Sequence, residues 1–210
     1  MATAPDARNF PTVAFLGDSI STGFRGLTHP RSRWTSRVCD ELGWRETNLS
    51  INGMGFFRRR GERPTVEDTW ANTAEDTLLL DALLRTYPAT LVISLGGNDA
   101  FLLAEHADEV RAAIFRDLSR VHEQQPDLPV VVSPFNGPAR VSERFAPVIG
   151  WIREACDASG HVFTDALMTA INDDLSLVCD DCIHPNDDGH ARLAASIPPV
   201  LHDLPLREPR

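Results

Sequence analysis

Phe15-Leu16-Gly17-Asp18-Ser19-Ile20-Ser21 is the stretch whose reading decides the fold. The residues leading into it, Thr12-Val13-Ala14-Phe15-Leu16, are apolar and partly β-branched, which suits a strand buried on both faces. Gly17 lets the chain turn sharply, so Asp18, Ser19 and Ile20 leave the carboxyl end of that strand. Open α/β sheets place their ligands at such ends. A serine hydroxyl there is either a phosphate-loop donor or a nucleophile, and the choice depends on whether the rest of the chain supplies a base and an oxyanion site.

Working outward, the same alternation recurs. Thr47–Ile51, Leu91–Leu95, Pro129–Ser133 and His161–Thr164 read as four further short strands, and each runs into a turn or polar segment. Between them the apolar spacing predicts helices at Trp34–Leu42, at Thr73–Thr86, around Val110–Val121, from Phe145 to near Gly160, and at about Asn186–Ile197. The leucine-rich helix over 73–86 is expected to be well buried. Five strands alternating with helices imply an α/β protein, with a parallel sheet covered on both faces and right-handed crossovers. All strand ends then open on one side, which collects Ser19, Gly53, Asn98 and the Asp181–His184 loop from distant parts of the sequence.

The whole chain of 210 residues reads as one domain, with a core over about 12–201 and short tails. A net charge of −10 opposes nucleic acid or an anionic membrane as partner. No apolar run is long enough for membrane insertion. Met1–Asp6 has neither a basic start nor an apolar segment, so no signal peptide is read and a cytoplasmic location is expected. The oligomer is left between a monomer and a small homo-oligomer.

Serine needs a base to become a useful nucleophile, and histidine is the usual one near neutral pH. His184 has Asp181 three residues before it, a spacing that lets the carboxylate bond one ring nitrogen while the other faces Ser19. The attacked carbonyl oxygen needs donors already in place. The Ser19 N–H, the Gly53 N–H and the Asn98 side-chain amide all belong to strand-end turns on the same rim. Gly55 competes with Gly53, while Asp18 and Asp99 read as braces for their loops.

These segments resemble the motif blocks of the SGNH hydrolases, also called the GDSL esterase and lipase family. Gly17-Asp18-Ser19-Ile20 is similar to the first block, with Ile for the usual Leu, and Asn48–Gly53 to the second. Gly96-Gly97-Asn98-Asp99 and Asp181–Pro185 are similar to the third and fifth, in the family's order. The resemblance implies a three-layer α/β/α, flavodoxin-like fold. It also implies hydrolysis of an ester through an acyl-enzyme, with Ser19 as nucleophile, His184 as base and acid, and Asp181 as orienter. Ser19, Gly53 and Asn98 would form the oxyanion hole, and no cofactor or metal is implied.

The substrate is expected to be a small-molecule ester with a short acyl or acetyl group, because loops of this length leave little room for a large lid. A lysophospholipase, thioesterase or acyltransferase on the same site is the alternative within the family. Trp34, Phe56, Phe57, Phe101 and Phe135 are candidate apolar wall residues and equally candidate core. Arg58-Arg59-Arg60 with Arg63 reads either as a solvated loop or as an anchor for an anionic part of a substrate. Cys179-x-x-Cys182 straddles Asp181, as two free thiols or a redox-sensitive clasp, and zinc held with His190 is a further option. A flavodoxin-type mononucleotide-binding protein is the rival from another class, with the residues after Gly17 cradling a phosphate.

Overall fold

The computed structural model describes residues 10–61, 71–135, 142–205 and 207. A five-stranded sheet runs in the order β2-β1-β3-β4-β5, built from β1 (Thr12–Gly17), β2 (Arg45–Asn48), β3 (Thr90–Ser94), β4 (Val130–Val132) and β5 (Val162–Phe163). Every pairing is parallel. The three central strands alternate between two apolar faces. Ala14, Leu16, Leu91, Ile93, Val130 and Val132 join one core, whereas Val13, Phe15, Val92 and Val131 join the other. A strand with both faces covered cannot carry the polar alternation of a half-exposed one, and this is why these segments read as continuous apolar runs.

Helices α3 (Leu78–Leu84), α4 (Leu103–Gln124) and α5 (Ser142–Ser159) cover the first face. The second is covered by α1 (Ser19–Thr22), α2 (Trp34–Leu42), α6 (Ala166–Ile171), α7 (Asp187–Ser196) and α8 (Pro198–His202). The layers are those expected of an α/β/α sandwich. Cys39 and Cys156 are core residues on opposite faces.

Two of the expected elements are displaced, and α6 and α8 are not among those expected from the sequence. The second strand lies at 45–48 and not at 47–51, because it is an edge strand whose polar residues Arg45, Glu46, Thr47 and Asn48 give no apolar signal. The Asn48 side chain accepts the Ser50 N–H at 3.0 Å and turns the chain there, although Leu49 and Ile51 still donate to Phe15 and Gly17. The leucine-rich helix begins only at Leu78, where Asp76 accepts the Leu78 N–H at 2.8 Å. Leu78 itself is largely exposed, while Leu80, Leu83 and Leu84 are buried as expected.

Candidate active site

The first strand ends at Gly17, and Asp18 caps the short helix α1 by accepting the Ile20 N–H at 2.9 Å. Ser19 opens that helix at the sheet's carboxyl edge, and its N–H has no acceptor among the described residues. Capping by Asp18 bears on the rival nucleotide reading. The carboxylate occupies the helix N-terminus where a phosphate would have to bind, so the turn is not a phosphate cradle.

His184 reaches this point from the far end of the chain. Its Nε2 lies 2.9 Å from Ser19 Oγ, and its Nδ1 lies 2.7 Å from Asp181 Oδ2. The other Asp181 oxygen accepts the N–H groups of Ile183 and His184 at 3.0 and 2.9 Å, so the carboxylate gathers its own turn around it. Burial pushes the Asp181 carboxyl up, but the bonds from the His184 N–H, the imidazole and the Ile183 N–H outweigh it and bring it down to about 2. It is therefore ionised at neutral pH, and the tautomer with the proton on Nδ1 leaves Nε2 free to accept from Ser19.

The turn carrying His184 is tied down from two sides. Cys179 N–H donates to the His184 carbonyl at 2.8 Å, and Val178 bridges to Pro185. Thr28 donates from its N–H and hydroxyl to Asp187, the hydroxyl bond being 2.5 Å. Gly26 packs so closely on the Pro185 carbonyl oxygen that a Cβ there would lie 1.7 Å from it, so this loop requires glycine.

Ser19, Gly53, Asn98 and His184 line one open cleft of about 670 Å³. Gly53 adopts φ 76°, which suits glycine, and its N–H has no acceptor among the described residues. Its competitor Gly55 is engaged elsewhere: its N–H donates to the Arg58 carbonyl at 2.9 Å, and it packs against Asp99. The Asn98 amide nitrogen donates to Asp18 Oδ2 and to the Met54 carbonyl, each at 3.0 Å. An incoming oxyanion would have to share one of those protons. Burial raises the Asp18 carboxyl to about 7, with Asp99 adding to the shift and the Ile20 and Asn98 hydrogen bonds opposing it.

The aromatic wall drawn from the sequence is corrected. Trp34, Phe56, Phe57 and Phe135 are buried core side chains and do not line the cleft. Trp34 stands edge-on to Phe15, with ring centroids 5.3 Å apart. Phe101 is exposed but pairs with Phe145 at 6.2 Å, under the Arg144 guanidinium, away from the cleft lining. The apolar lining comes instead from Phe24 and Ile51. Phe24 sits edge-to-face with the His184 ring at 5.2 Å, and sequence reasoning missed it. The available signal was a lone aromatic in the polar loop after Ser19.

The arginine cluster divides. Arg58 and Arg59 line the cleft, whereas Arg60 is buried in a two-bond pair with Asp117 at 3.0 and 3.3 Å and braces the fold. Arg63 lies outside the described residues. Cys179 and Cys182 are free thiols. Burial, then Asp181 and Asp180, push the Cys179 thiol up, which disfavours the thiolate that a redox clasp needs. His190 is buried, with Nδ1 accepting the Trp34 N–H at 3.2 Å, and so serves packing between α7 and α2. No helix among the described residues is long and apolar enough to cross a membrane.

A hydrogen-bonded Asp–His–Ser line at the carboxyl edge of a parallel sheet is an arrangement that serine hydrolases of several kinds use. The chain belongs to the GDSL-like lipase/acylhydrolase family, whose model matches residues 15–192, and it is a carboxyl ester hydrolase in class. Among solved structures, TesA superposes with a TM-score of 0.71 at 19% identity, covering 90% of this chain and 97% of TesA. The psychrotrophic esterase EstA from Pseudoalteromonas sp., inhibited by monoethylphosphonate, gives 0.67 at 18% identity, covering 92% of this chain and 100% of EstA. A family two carbohydrate esterase from Clostridium thermocellum, in complex with cellohexaose, gives 0.69 at 20% identity over 97% of this chain and 68% of that one. Comparison with curated protein sequences gives no match.

Proposed function

We propose that the chain hydrolyses a short-acyl carboxylic ester through an acyl-enzyme on Ser19. The observation that carries this is the unbroken line Asp181–His184–Ser19, with bonds of 2.7 and 2.9 Å, opening into a cleft beside Gly53 and Asn98. Ser19 Oγ attacks the carbonyl carbon as His184 Nε2 takes its proton. The imidazolium formed is held by the ionised Asp181 and returns the proton to the departing alcohol. Water then repeats the sequence in reverse, releasing the acid.

Charge developing on the carbonyl oxygen is met by the Ser19 and Gly53 N–H groups, with Asn98 sharing a proton now given to Asp18. Each such donor is worth about 3 kcal/mol in the transition state. A small acyl group fits an open cleft whose apolar lining, among the described residues, is Phe24 and Ile51. The esterases among the structural neighbours agree with an ester as substrate.

A panel of p-nitrophenyl esters from acetate to palmitate, run with Ser19→Ala as control, tests the reading. We expect the highest kcat/KM at the short end and a loss on the order of 10⁴-fold or more in Ser19→Ala. Rates that climb towards palmitate overturn the short-acyl assignment in favour of a lysophospholipase-like or thioesterase-like activity. Transfer of the acyl group to an added alcohol in preference to water points to an acyltransferase. Full activity in Ser19→Ala removes the site itself.

A further inference from the structure

Two cleft residues, Arg58 and Arg59, have no part in the acyl chemistry above, yet the fold goes to some length to present them. Gly55 lets the turn wrap around Asp99, since a Cβ at Gly55 would lie 2.2 Å from its carboxylate. The buried Asp99 accepts the N–H groups of Phe56, Phe57 and Arg58 at 2.7, 3.1 and 3.0 Å. Just beyond, the buried Arg60–Asp117 pair pins the other side of the segment. Arg59, between the two pins, is held at φ 54°, a left-handed conformation that costs a residue with a side chain about 1 kcal/mol. Its N–H is fixed by the Asn72 side chain at 3.0 Å.

Among the described residues neither guanidinium meets a carboxylate. Arg58 Nη1 donates to the Asn98 side-chain oxygen and Arg59 Nη1 to the Asn52 carbonyl, each at 3.1 Å, and both acceptors are uncharged. Arg31, Arg33, Arg60, Arg111, Arg116 and Arg120 each meet a carboxylate. Among the described residues no carboxylate pairs with Arg58 or Arg59, and none lines the cleft. Asp99 is near Arg58 but directs its oxygens at backbone N–H groups. A half-buried, unpaired cation is costly, and a ligand anion offsets that cost. The chain's net charge of −10 repels anions at long range, but salt screens that field within about 8 Å while the contacts inside the cleft persist.

We propose that Arg58 and Arg59 form a subsite for a carboxylate or phosphate group of the substrate, so that the preferred ester is an anionic one. This deepens the ester-hydrolase reading and rests on it. Each guanidinium keeps several N–H donors beyond the one it uses, enough for a forked bond to an anionic group. Arg58 touches Asn98 and Arg59 bonds the Asn52 carbonyl beside Gly53, so the ratio within a matched pair of esters, and not the absolute rate, is the readout.

The test compares kcat/KM within two matched pairs. p-Nitrophenyl hemisuccinate against p-nitrophenyl butyrate places the charge on the acyl side; 3-acetoxybenzoate against 3-acetoxybenzamide places it on the alcohol side. We expect the anionic member of at least one pair to be preferred on the order of tenfold, and the pair that responds identifies the side. That ratio should fall towards unity in Arg59→Gln and in the double variant with Arg58→Gln, and be partly kept in Arg59→Lys. A neutral member equal or better in both pairs, while Ser19→Ala abolishes turnover of all four, overturns the subsite and leaves the hydrolase reading standing. Binding of p-nitrophenyl hemisuccinate and of 3-acetoxybenzoate to Ser19→Ala, measured by calorimetry with and without Arg59→Gln, decides the matter independently of turnover. Arginine-dependent binding without any turnover would keep the subsite and remove the hydrolase; absence of both would remove the two together.

Discussion

The turn at 181–184 and the turn at 55–58 are shaped by the same device and differ in where the device comes from. In each, a carboxylate collects successive backbone N–H groups. Asp181 takes those of Ile183 and His184, two and three residues along its own chain. Asp99 takes those of Phe56, Phe57 and Arg58 from more than forty residues away. The first turn is half-exposed and offers a histidine, while the second is buried and offers two arginines. A local carboxylate orients one side chain; a distant one joins two parts of the fold. The two should therefore fail differently when the carboxylate is removed.

The largest contrast is in rate. Asp181→Asn should lower kcat for a p-nitrophenyl ester by about 10³–10⁴-fold, because the imidazole loses the partner that sets its tautomer, while the melting temperature falls by only a few degrees. A variant within tenfold of the parent would show that the line of bonds at Asp181 has no catalytic weight.

Next comes stability. Asp99→Ala leaves three buried N–H groups without their acceptor, and we expect a loss of about 3–5 kcal/mol in denaturant unfolding, the groups being adjacent and their costs not fully additive. A loss below about 1 kcal/mol would mean that the turn at 55–58 holds itself, and the comparison would break.

The smallest effect sharpens the contrast through its sign. The folded Asp181 carboxyl lies at about 2, below its ordinary value, so its contribution is present above the unfolded pKa and lost as pH falls through about 2. At this partly exposed turn, solvent screening limits the contribution to about 1–2 kcal/mol. Burial raises the Asp99 carboxyl despite the three N–H bonds, so its contribution is complete below the unfolded pKa and lost as pH rises through the folded one. Stability measured against pH should show the gap between parent and Asp181→Asn widening from pH 2 to 5. The gap between parent and Asp99→Asn should narrow as pH rises. Parallel curves would contradict the assignment of opposite environments.

Legibility in the sequence followed the same divide between local and distant causes. β1, β3 and β4 were readable because both faces are buried, and residues 12–16, 91–95 and 129–133 are nearly continuous apolar runs. The edge strand Arg45–Asn48 carries no such run and was displaced by two residues at its start and three at its end. Ser19, Asp181 and His184 were readable because their spacing and turns are local, and the structure brings them within bonding distance. Trp34, Phe56, Phe57 and Phe135 stay between cleft wall and core in the sequence because an aromatic beside a turn has the same sequence signature whether it points to the cleft or to the core. Phe24 was missed because its meeting with His184 spans most of the chain.

By itself, the sequence determined the layered α/β scaffold and singled out Ser19, Asp181 and His184 as the candidate reacting groups, since apolar periodicity and a carboxylate three residues before a histidine act over short stretches of chain. Only the tertiary structure decided which aromatic side chains are core, which arginine is locked to Asp117 and which two face the cleft. Those outcomes depend on buried carboxylates that reach across the fold, and a desolvated charge selects its partner by three-dimensional proximity, which no spacing along the chain encodes.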